Sequence, residues 1–230
     1  MKKKLTILSF TFIIIIIVLF NQKIIELYFL NKFSKWVEND VIFEDFQIIY
    51  PNIISIKNLE IKNTNLNHYD SIFKAGKIII NLNIKSFLVG DLRIVNNLII
   101  DEPKFYLEII QKKLQSGDET EKNTQLIFED NIGIAKKLSQ NLPDKIWPMK
   151  EKDINFLILK SKISEGIAYV KISSFKRESE ISMSNFEFIT TGNQKGYQHY
   201  KDVLKIMFFD IFARETNNNK KIILKKIYKF

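Results

Sequence analysis

The hydrophobic and polar positions of this chain follow one pattern at its N-terminus and another after it. Residues 5–20 form an apolar run that is interrupted only by Thr6, Ser9 and Thr11. At about 1.5 Å of rise per helical residue, this run and the apolar residues of 24–30 are long enough to cross the roughly 30 Å hydrocarbon core of a bilayer. The pattern therefore predicts an N-terminal transmembrane helix.

A cleaved signal peptide and a buried core helix are the alternative interpretations of this run. A signal peptide ends in small residues, whereas this run ends in Val18-Leu19-Phe20 and no alanine or glycine occurs before Ala75. A core helix that is apolar on every side needs a large protein around it. An uncleaved signal anchor is therefore favoured. The lysines at positions 2–4 predict that the N-terminus stays cytoplasmic and the rest of the chain crosses the membrane.

From Val41 onward the apolar residues recur mainly every second position, which is typical of strands with one buried face. The predicted strands cover residues 41–50, 54–62, 73–84, 92–103, 105–109, 154–163, 167–173 and 181–188. Glu165-Gly166 is interpreted as a turn between two of them. The alternation slips by one residue at Lys57-Asn58 and again at Asn96-Asn97, as it does at a β-bulge.

Helical spacing predicts amphipathic helices over 127–142 and 197–214, and residues 115–123 have the polar composition of a loop. The predicted fold class is thus α+β, with a transmembrane helix followed by a curved, mainly antiparallel sheet of about eight strands and two amphipathic helices. The expected divisions are an anchor and juxtamembrane helix (1–38), a β-rich unit (39–112), a loop and helix (113–150), a second β-rich segment (151–192), and a helix with a basic tail (193–230).

Composition narrows the possible functions further. The chain has no cysteine, which excludes disulfides and thiolate metal sites. The net charge of +9 comes from lysines scattered among acidic residues, so we expect no nucleic acid partner. The two histidines, His68 and His199, lie far apart in sequence, and no glycine-rich nucleotide motif occurs. We therefore expect a protein without catalytic residues, metal or cofactor.

Several short segments, taken in order after the anchor, resemble the N-terminal unit of the AsmA-like proteins. They are Ile56-Lys-Asn-Leu-Glu-Ile-Lys-Asn, Phe73-Lys-Ala-Gly-Lys-Ile, Ser86-Phe-Leu-Val-Gly-Asp-Leu-Arg-Ile and Ile99-Ile-Asp-Glu-Pro-Lys-Phe-Tyr-Leu-Glu. The second half is similar to the smaller members of that family. In those proteins a strand pair turns at a glycine, as is expected for residues 159–169, and a segment like 181–192 precedes a C-terminal amphipathic helix.

The resemblance implies a single-pass inner-membrane protein of a Gram-negative envelope, with a cytoplasmic N-terminus and a periplasmic bulk. It implies that the apolar sheet face forms a trough that binds or shields phospholipid acyl chains in outer-membrane biogenesis. The residues expected to face lipid are Ile54, Ile56, Ile78, Ile80, Leu82, Ile84, Leu92 and Ile94.

Two alternatives remain open on the sequence. If the predicted helices over 127–142 and 197–214 cover the apolar face, the protein has an ordinary closed core. It would then be an envelope scaffold or assembly factor that binds another membrane protein through its sheet edges and its C-terminal helix.

The C-terminal tail alternates lysine clusters with apolar residues. It contains Lys220, Lys221, Lys225, Lys226 and Lys229. Each lysine near an anionic bilayer contributes on the order of 1 kcal/mol of binding free energy, which salt screens, so the tail is a candidate for membrane-surface contact. The alternative is a last strand or a solvated tail.

Overall fold

The structure is a computed structural model that describes residues 22–37, 39–63, 68–89, 91–114, 125–131 and 155–228, without the side chains of Trp36 and residues 112–129. The predicted transmembrane run over 5–20, the loop at 115–123 and most of the predicted helix over 127–142 lie outside the described residues. Among the helices that are described, none combines the length and apolar character needed to cross a bilayer.

The described residues form four helices and eleven strands. The helices are α1 (Gln22–Val37), α2 (Ile84–Leu88), α3 (Tyr200–Arg214) and α4 (Asn218–Tyr228). The strands are β1 (Val41–Ile42), β2 (Asp45–Ile49), β3 (Ile53–Lys62), β4 (Ser71–Leu82), β5 (Leu92–Leu114), β6 (Gln125–Asp130), β7 (Asn155–Ser164), β8 (Ile167–Ile172), β9 (Ser179–Ser182), β10 (Phe186–Gly192) and β11 (Gln198–His199). The prediction of an α+β protein is therefore confirmed, as are helices near 22–37 and 200–214.

All the described strands join one large, mainly antiparallel sheet that does not close. Its central order is β1-β3-β4-β5-β7-β10-β11; β2 also pairs with β3, and β6 and β8 also pair with β5. The exceptions to antiparallel pairing are β7 and β8, which both run parallel to β5, and the short β11, which runs parallel to β10.

The long strand β5 organises this sheet. Two separate strands were expected over 92–109, but Leu92–Leu114 is one strand of 23 residues. Along one edge it pairs with β4 and then with β6, and along the other it pairs with β7 and then with β8. The predicted turn at Glu165-Gly166 is therefore not a hairpin, because β7 and β8 follow one another in the same direction.

The chain changes its buried face at the same level in β3, β4, β5 and the junction between β7 and β8. Asn58, Glu102 and Glu165 have positive φ angles of 50°, 51° and 57°. These three residues lie in one row with Gly76. The adjacent row shows this, because there Lys57 pairs with Lys77, Lys77 pairs with Asp101, and Asp101 pairs with Ser164. We call these four residues the kink row. The slip predicted at Lys57-Asn58 is thus present. The pairing of neighbouring residues continues across it without a shift, because all four segments slip at the same row.

The second predicted slip is a β-bulge. Asn81 of β4 pairs with Asn97, but the next residue, Leu82, pairs with Val95, so Asn96 is an extra residue on β5. Its side-chain amide lies 3.3 Å from the Asn81 Oδ1 atom, which it contacts as a donor. The prediction of a bulge at Asn96-Asn97 is confirmed.

Four other segments differ from the structure that the sequence predicted for them. The helix predicted over 127–142 fails at its start, because residues 125–130 form a strand that continues the edge of β5 beyond β4. Ile84 does not extend β4, because Asn83 accepts a hydrogen bond from the Ser86 amide at 3.2 Å and begins α2. The strand predicted over 181–188 is divided into β9 and β10, which pair with different strands. The basic tail forms a helix up to Tyr228.

The helices cover the apolar face of the sheet in two groups. α1 packs on the first strands, in a core half that contains Val37, Phe46, Ile56 and Leu59. α3 and α4 pack on β5 and β7 to β10, in a second core half. There Phe208 of α3 meets Phe105 with ring centroids 6.0 Å apart. Any apolar site that remains on this face of the sheet must therefore lie where the two groups of helices meet.

Candidate functional site

The predicted lipid-facing residues differ in how far the chain itself covers them. Ile56 and Ile78 are only 1% and 8% exposed, and both belong to the core half under α1. Ile54 and Ile80 are half-buried at the margin of that half. The trough predicted over these residues is therefore not open along its length, because α1 occupies part of it.

A strip of half-buried apolar side chains lies where the two core halves meet. We call Phe73, Ile80, Leu98 and Ile100 the seam. Phe73 and Ile100 contact both core halves, whereas Ile80 and Leu98 contact the half under α1. Ile80 and Leu98 are paired directly across β4 and β5. The seam is therefore a set of half-buried apolar side chains along β4 and β5, with the buried Ala75 and Ile78 between Phe73 and Ile80, and the described helices cover it only in part.

The seam continues toward one end of the sheet. Leu82 is half-buried at the end of β4, and Leu92 and Ile94 are half-buried at the start of β5. Between them, α2 and the residue after it expose large apolar side chains, as does the adjacent β2–β3 turn. We call this exposed group the apolar end: Ile49, Tyr50, Ile84, Phe87, Leu88 and Val89.

Hydrogen bonds hold the apolar end in place. The Leu82 amide donates to the Asn52 carbonyl oxygen at 2.8 Å, which joins the β2–β3 turn to the end of β4. The Ile94 amide donates to Ser86 Oγ at 2.9 Å, and the Arg93 guanidinium donates to the Ser86 carbonyl oxygen at 2.8 Å. The exposed side chains of α2 are thus presented on a fixed backbone.

The lysines of the tail fall into two classes. Lys220 is only 3% exposed, and its Nζ atom donates at 2.8 Å both to the Arg177 carbonyl oxygen and to Ser179 Oγ. Burial lowers the pKa of this ammonium group. Lys220 therefore lies within the fold rather than on an open surface. Lys221 is half-buried, Lys225 and Lys226 are exposed, and Lys229 lies outside the described residues.

The other face of the sheet carries a polar cavity of about 450 Å³, lined by His68, Lys171, Lys176, Arg177 and Glu178. The Tyr69 hydroxyl donates to Glu178 Oε2 at 2.7 Å, and burial together with this contact raises the pKa of Tyr69 well above its usual value. His68 lies near Glu178, whereas His199 caps α3 by accepting from the Lys201 amide at 3.3 Å. The two histidines are therefore not brought together.

Metal ligands do not cluster in the part of the chain that the structure describes. The acidic pair Asp101-Glu102 lies in the kink row region, where Asp101 Oδ1 accepts from Ser164 Oγ at 2.8 Å. Asp130 lies elsewhere, at the end of β6, and Asp130 Oδ2 accepts from the buried Tyr228 hydroxyl at 2.7 Å. These carboxylates make structural contacts and are not directed into a common site.

Comparison with known proteins shows no family for this chain. No protein-family model matches it, and no curated protein matches it significantly.

The sequence predicted only part of this site. It predicted the apolar positions of β3 to β5, but not the covering by α1 or the exposed end at α2. Ile84, Phe87 and Leu88 fit either a strand or one face of a short helix. The signal that identifies the helix is Asn83, which is a good N-cap residue.

Proposed function

We propose that this chain is a non-catalytic, membrane-anchored envelope protein of AsmA-like type, which shields lipid acyl chains along the seam. The resemblance in the order of its segments suggests the family, and the apolar run over 5–20 suggests the anchor. The observation that carries the proposal is the seam itself. It is a half-buried apolar strip that leads from the sheet centre to the apolar end.

The seam has the chemistry that an acyl chain needs. Its four side chains are all apolar, and each buried methylene group contributes about 0.8 kcal/mol of transfer free energy. Ile80 and Leu98 lie side by side on the same face of the sheet. An acyl chain lying there would bury itself against side chains that are otherwise partly exposed to water. In this proposal the lipid site is narrower than the predicted trough, because Ile56 and Ile78 are buried in the core half under α1.

A second candidate function is that of a scaffold that binds another membrane protein. The observation that favours it is the outer face of α3, where Ile206 and Phe209 are 43% and 55% exposed although the opposite face of the helix is packed in the second core half. A protein partner would cover these two side chains. Lipid in the seam would leave them exposed.

Photocrosslinking in the full-length chain tests the two candidates. A benzophenone amino acid replaces Leu98, and the matched control replaces Ile99, which is the next residue of β5 and is also half-buried. Successive strand residues point to opposite faces of the sheet, so the two probes sample opposite faces at neighbouring positions of β5. We expect mass spectrometry to find a phospholipid adduct at position 98 and none at position 99.

A third probe at Phe209 tests the scaffold. A protein adduct at position 209, with no lipid adduct at position 98, would reject lipid shielding in favour of the scaffold. Equal lipid labelling at positions 98 and 99 would show that the probes report only general contact with the bilayer, and it would also reject the seam as a lipid site.

A further inference from the structure

We infer that the apolar end lies against the bilayer that holds the N-terminal apolar run, with Tyr50, Leu88 and Val89 inserted into its interfacial layer. The inference rests on the anchor that is part of the proposed function, but not on lipid binding in the seam. It concerns how the whole protein is oriented, and it assigns a membrane-contact role to residues outside the anchor.

The exposure of these side chains is the first reason. Tyr50, Leu88 and Val89 are 70%, 78% and 71% exposed, and they belong to a contiguous group at one end of the sheet. Exposed apolar side chains are common as single residues, but a contiguous group marks an interaction surface. The hydrogen bonds of Asn52 and Ser86 hold this group outward, so it is not a mobile loop that folds back on the core.

The direction of α1 is the second reason, because it shows where the N-terminal run joins the domain. Near the C-terminal end of α1, Ser34 Oγ accepts from the Val41 amide at 3.3 Å, and Val41 pairs with Ile61. At its beginning, the Gln22 side-chain amide donates to the Phe46 carbonyl oxygen at 2.5 Å. α1 therefore runs alongside the first strands.

The register of β2 and β3 then fixes which end of the sheet α1 begins nearest. Phe46 pairs with Ile56, and three residues later Ile49 pairs with Ile53 at the β2–β3 turn. At about 3.3 Å per residue, the start of α1 lies within roughly 10 Å of the apolar end along the strand direction. The residues that precede Gln22 therefore join the domain on the side where the apolar side chains are exposed.

The outward face of α1 extends the same surface. Ile24, Leu27 and Tyr28 are exposed in the first half of this helix, which follows the end of the N-terminal run in sequence. Tyrosine is enriched at the boundary between acyl chains and water, because its ring is apolar and its hydroxyl is polar. Tyr28 and Tyr50 are thus suited to that boundary. The bilayer is the occupant that explains both exposed groups together with the apolar run beside them.

Single-cysteine labelling in the full-length chain tests the inference, because the natural sequence has no cysteine. Val89→Cys carries an environment-sensitive dye in vesicles of phosphatidylethanolamine and phosphatidylglycerol that contain nitroxide-labelled lipid. Ile222→Cys is the matched control, because Ile222 is apolar and 64% exposed but lies on α4, at the opposite end of the sheet. The neighbouring Lys220 binds Ser179, which pairs with Val170, and Val170 pairs with Leu107 of β5. We expect the dye at position 89 to be quenched by the nitroxide lipid and shielded from aqueous iodide. At position 222 we expect the reverse.

Flotation of the same samples separates this inference from the proposed function. If the chain floats with the vesicles but the position 89 dye is quenched only by iodide, the anchor stands and the docking inference is overturned. If that dye is protected from both quenchers, a protein covers the apolar end and the inference is also overturned. If the chain does not float at all, both the anchor and the docking are rejected. Lipid adducts at Leu98 report on the seam independently of these results.

Discussion

Tyr228 joins the C-terminal helix to the far part of the sheet. It is almost completely buried, its ring stacks on Phe212 with centroids 4.8 Å apart, and its hydroxyl donates to Asp130. Burial, reinforced by the nearby Asp130 carboxylate, raises the pKa of Tyr228 well above its usual value. The folded state therefore keeps this proton at pH values where the unfolded chain has lost it.

This raised pKa makes the stability of the protein depend on alkaline pH in a definite direction. The free energy of unfolding from this group is constant below the unfolded tyrosine pKa of about 10 and falls above it, by about 1.4 kcal/mol per pH unit. We expect Tyr228→Phe to lower the stability near pH 7 by about 1–2 kcal/mol, through loss of the hydrogen bond to Asp130. Between pH 10 and 11 the variant should lose stability less steeply than the natural protein. Urea unfolding of the full chain followed by circular dichroism measures both quantities, and equal slopes above pH 10 would contradict the expectation.

Among the elements, the kink row is the feature that lets long strands keep one apolar face. The chain slips by one position at Asn58, Gly76, Glu102 and Glu165 together, so residues on both sides of the row contribute to the same core. Leu59 and Ala75 thus stay on the face of Ile56 and Ile78. The cost is a left-handed backbone at three residues other than glycine, which is about 1–2 kcal/mol for each of them.

Substitution of Glu165 tests this cost. Its side chain is exposed, and its amide donates to Asn185 Oδ1 at 3.0 Å, a bond that any residue except proline retains. We expect Glu165→Gly to raise the free energy of unfolding by up to about 1 kcal/mol, and Glu165→Val to lower it by about 1–2 kcal/mol. Glu187→Gly on β10 is the control, and it should lower stability by about 0.5–1 kcal/mol because Glu187 has an ordinary strand conformation. Equal effects of glycine at both positions in urea unfolding would argue against strain at Glu165.

The local pattern of apolar residues predicted where the strands lie better than it predicted which strands pair with one another. Alternation located the strands, and the slips at Asn58 and Asn96 were visible because the pattern changes face there. The parallel pairing of β7 and β8 with β5 was not visible, because pairing depends on contacts between distant residues. Ile127 fitted the helical spacing of Ile134, Leu138 and Leu142, but residues 125–130 form a strand along one edge of β5. The burial of Lys220 in the tail was not predicted, because a buried lysine is exceptional.

In the whole molecule, the apolar end lies far from the basic end, which is formed by the exposed lysines of α4. α4 packs near Ile109, because Asp130 pairs with Ile109 and binds Tyr228. At about 3.3 Å per residue, the eighteen residues of β5 from Leu92 to Ile109 span roughly 55 Å. If the apolar end rests on the anchoring bilayer, the exposed lysines of α4 are held away from that bilayer. The tail then cannot act as a membrane contact on the leaflet next to the anchor.

Reversing the charge of α4 tests this arrangement more directly than deleting the tail does. Deleting the tail would take Leu224, Ile227 and Tyr228 out of the core, whereas Lys225→Glu with Lys226→Glu changes only exposed side chains. With a donor dye at Ile222→Cys and acceptor dye on the lipid surface, we expect weak energy transfer at low ionic strength, and we expect charge reversal to leave it unchanged. A lysine on an anionic leaflet contributes about 1 kcal/mol, so a docked α4 would be released by the reversal. Strong transfer that falls in the variant would mean that the sheet lies along the membrane rather than standing on its apolar end.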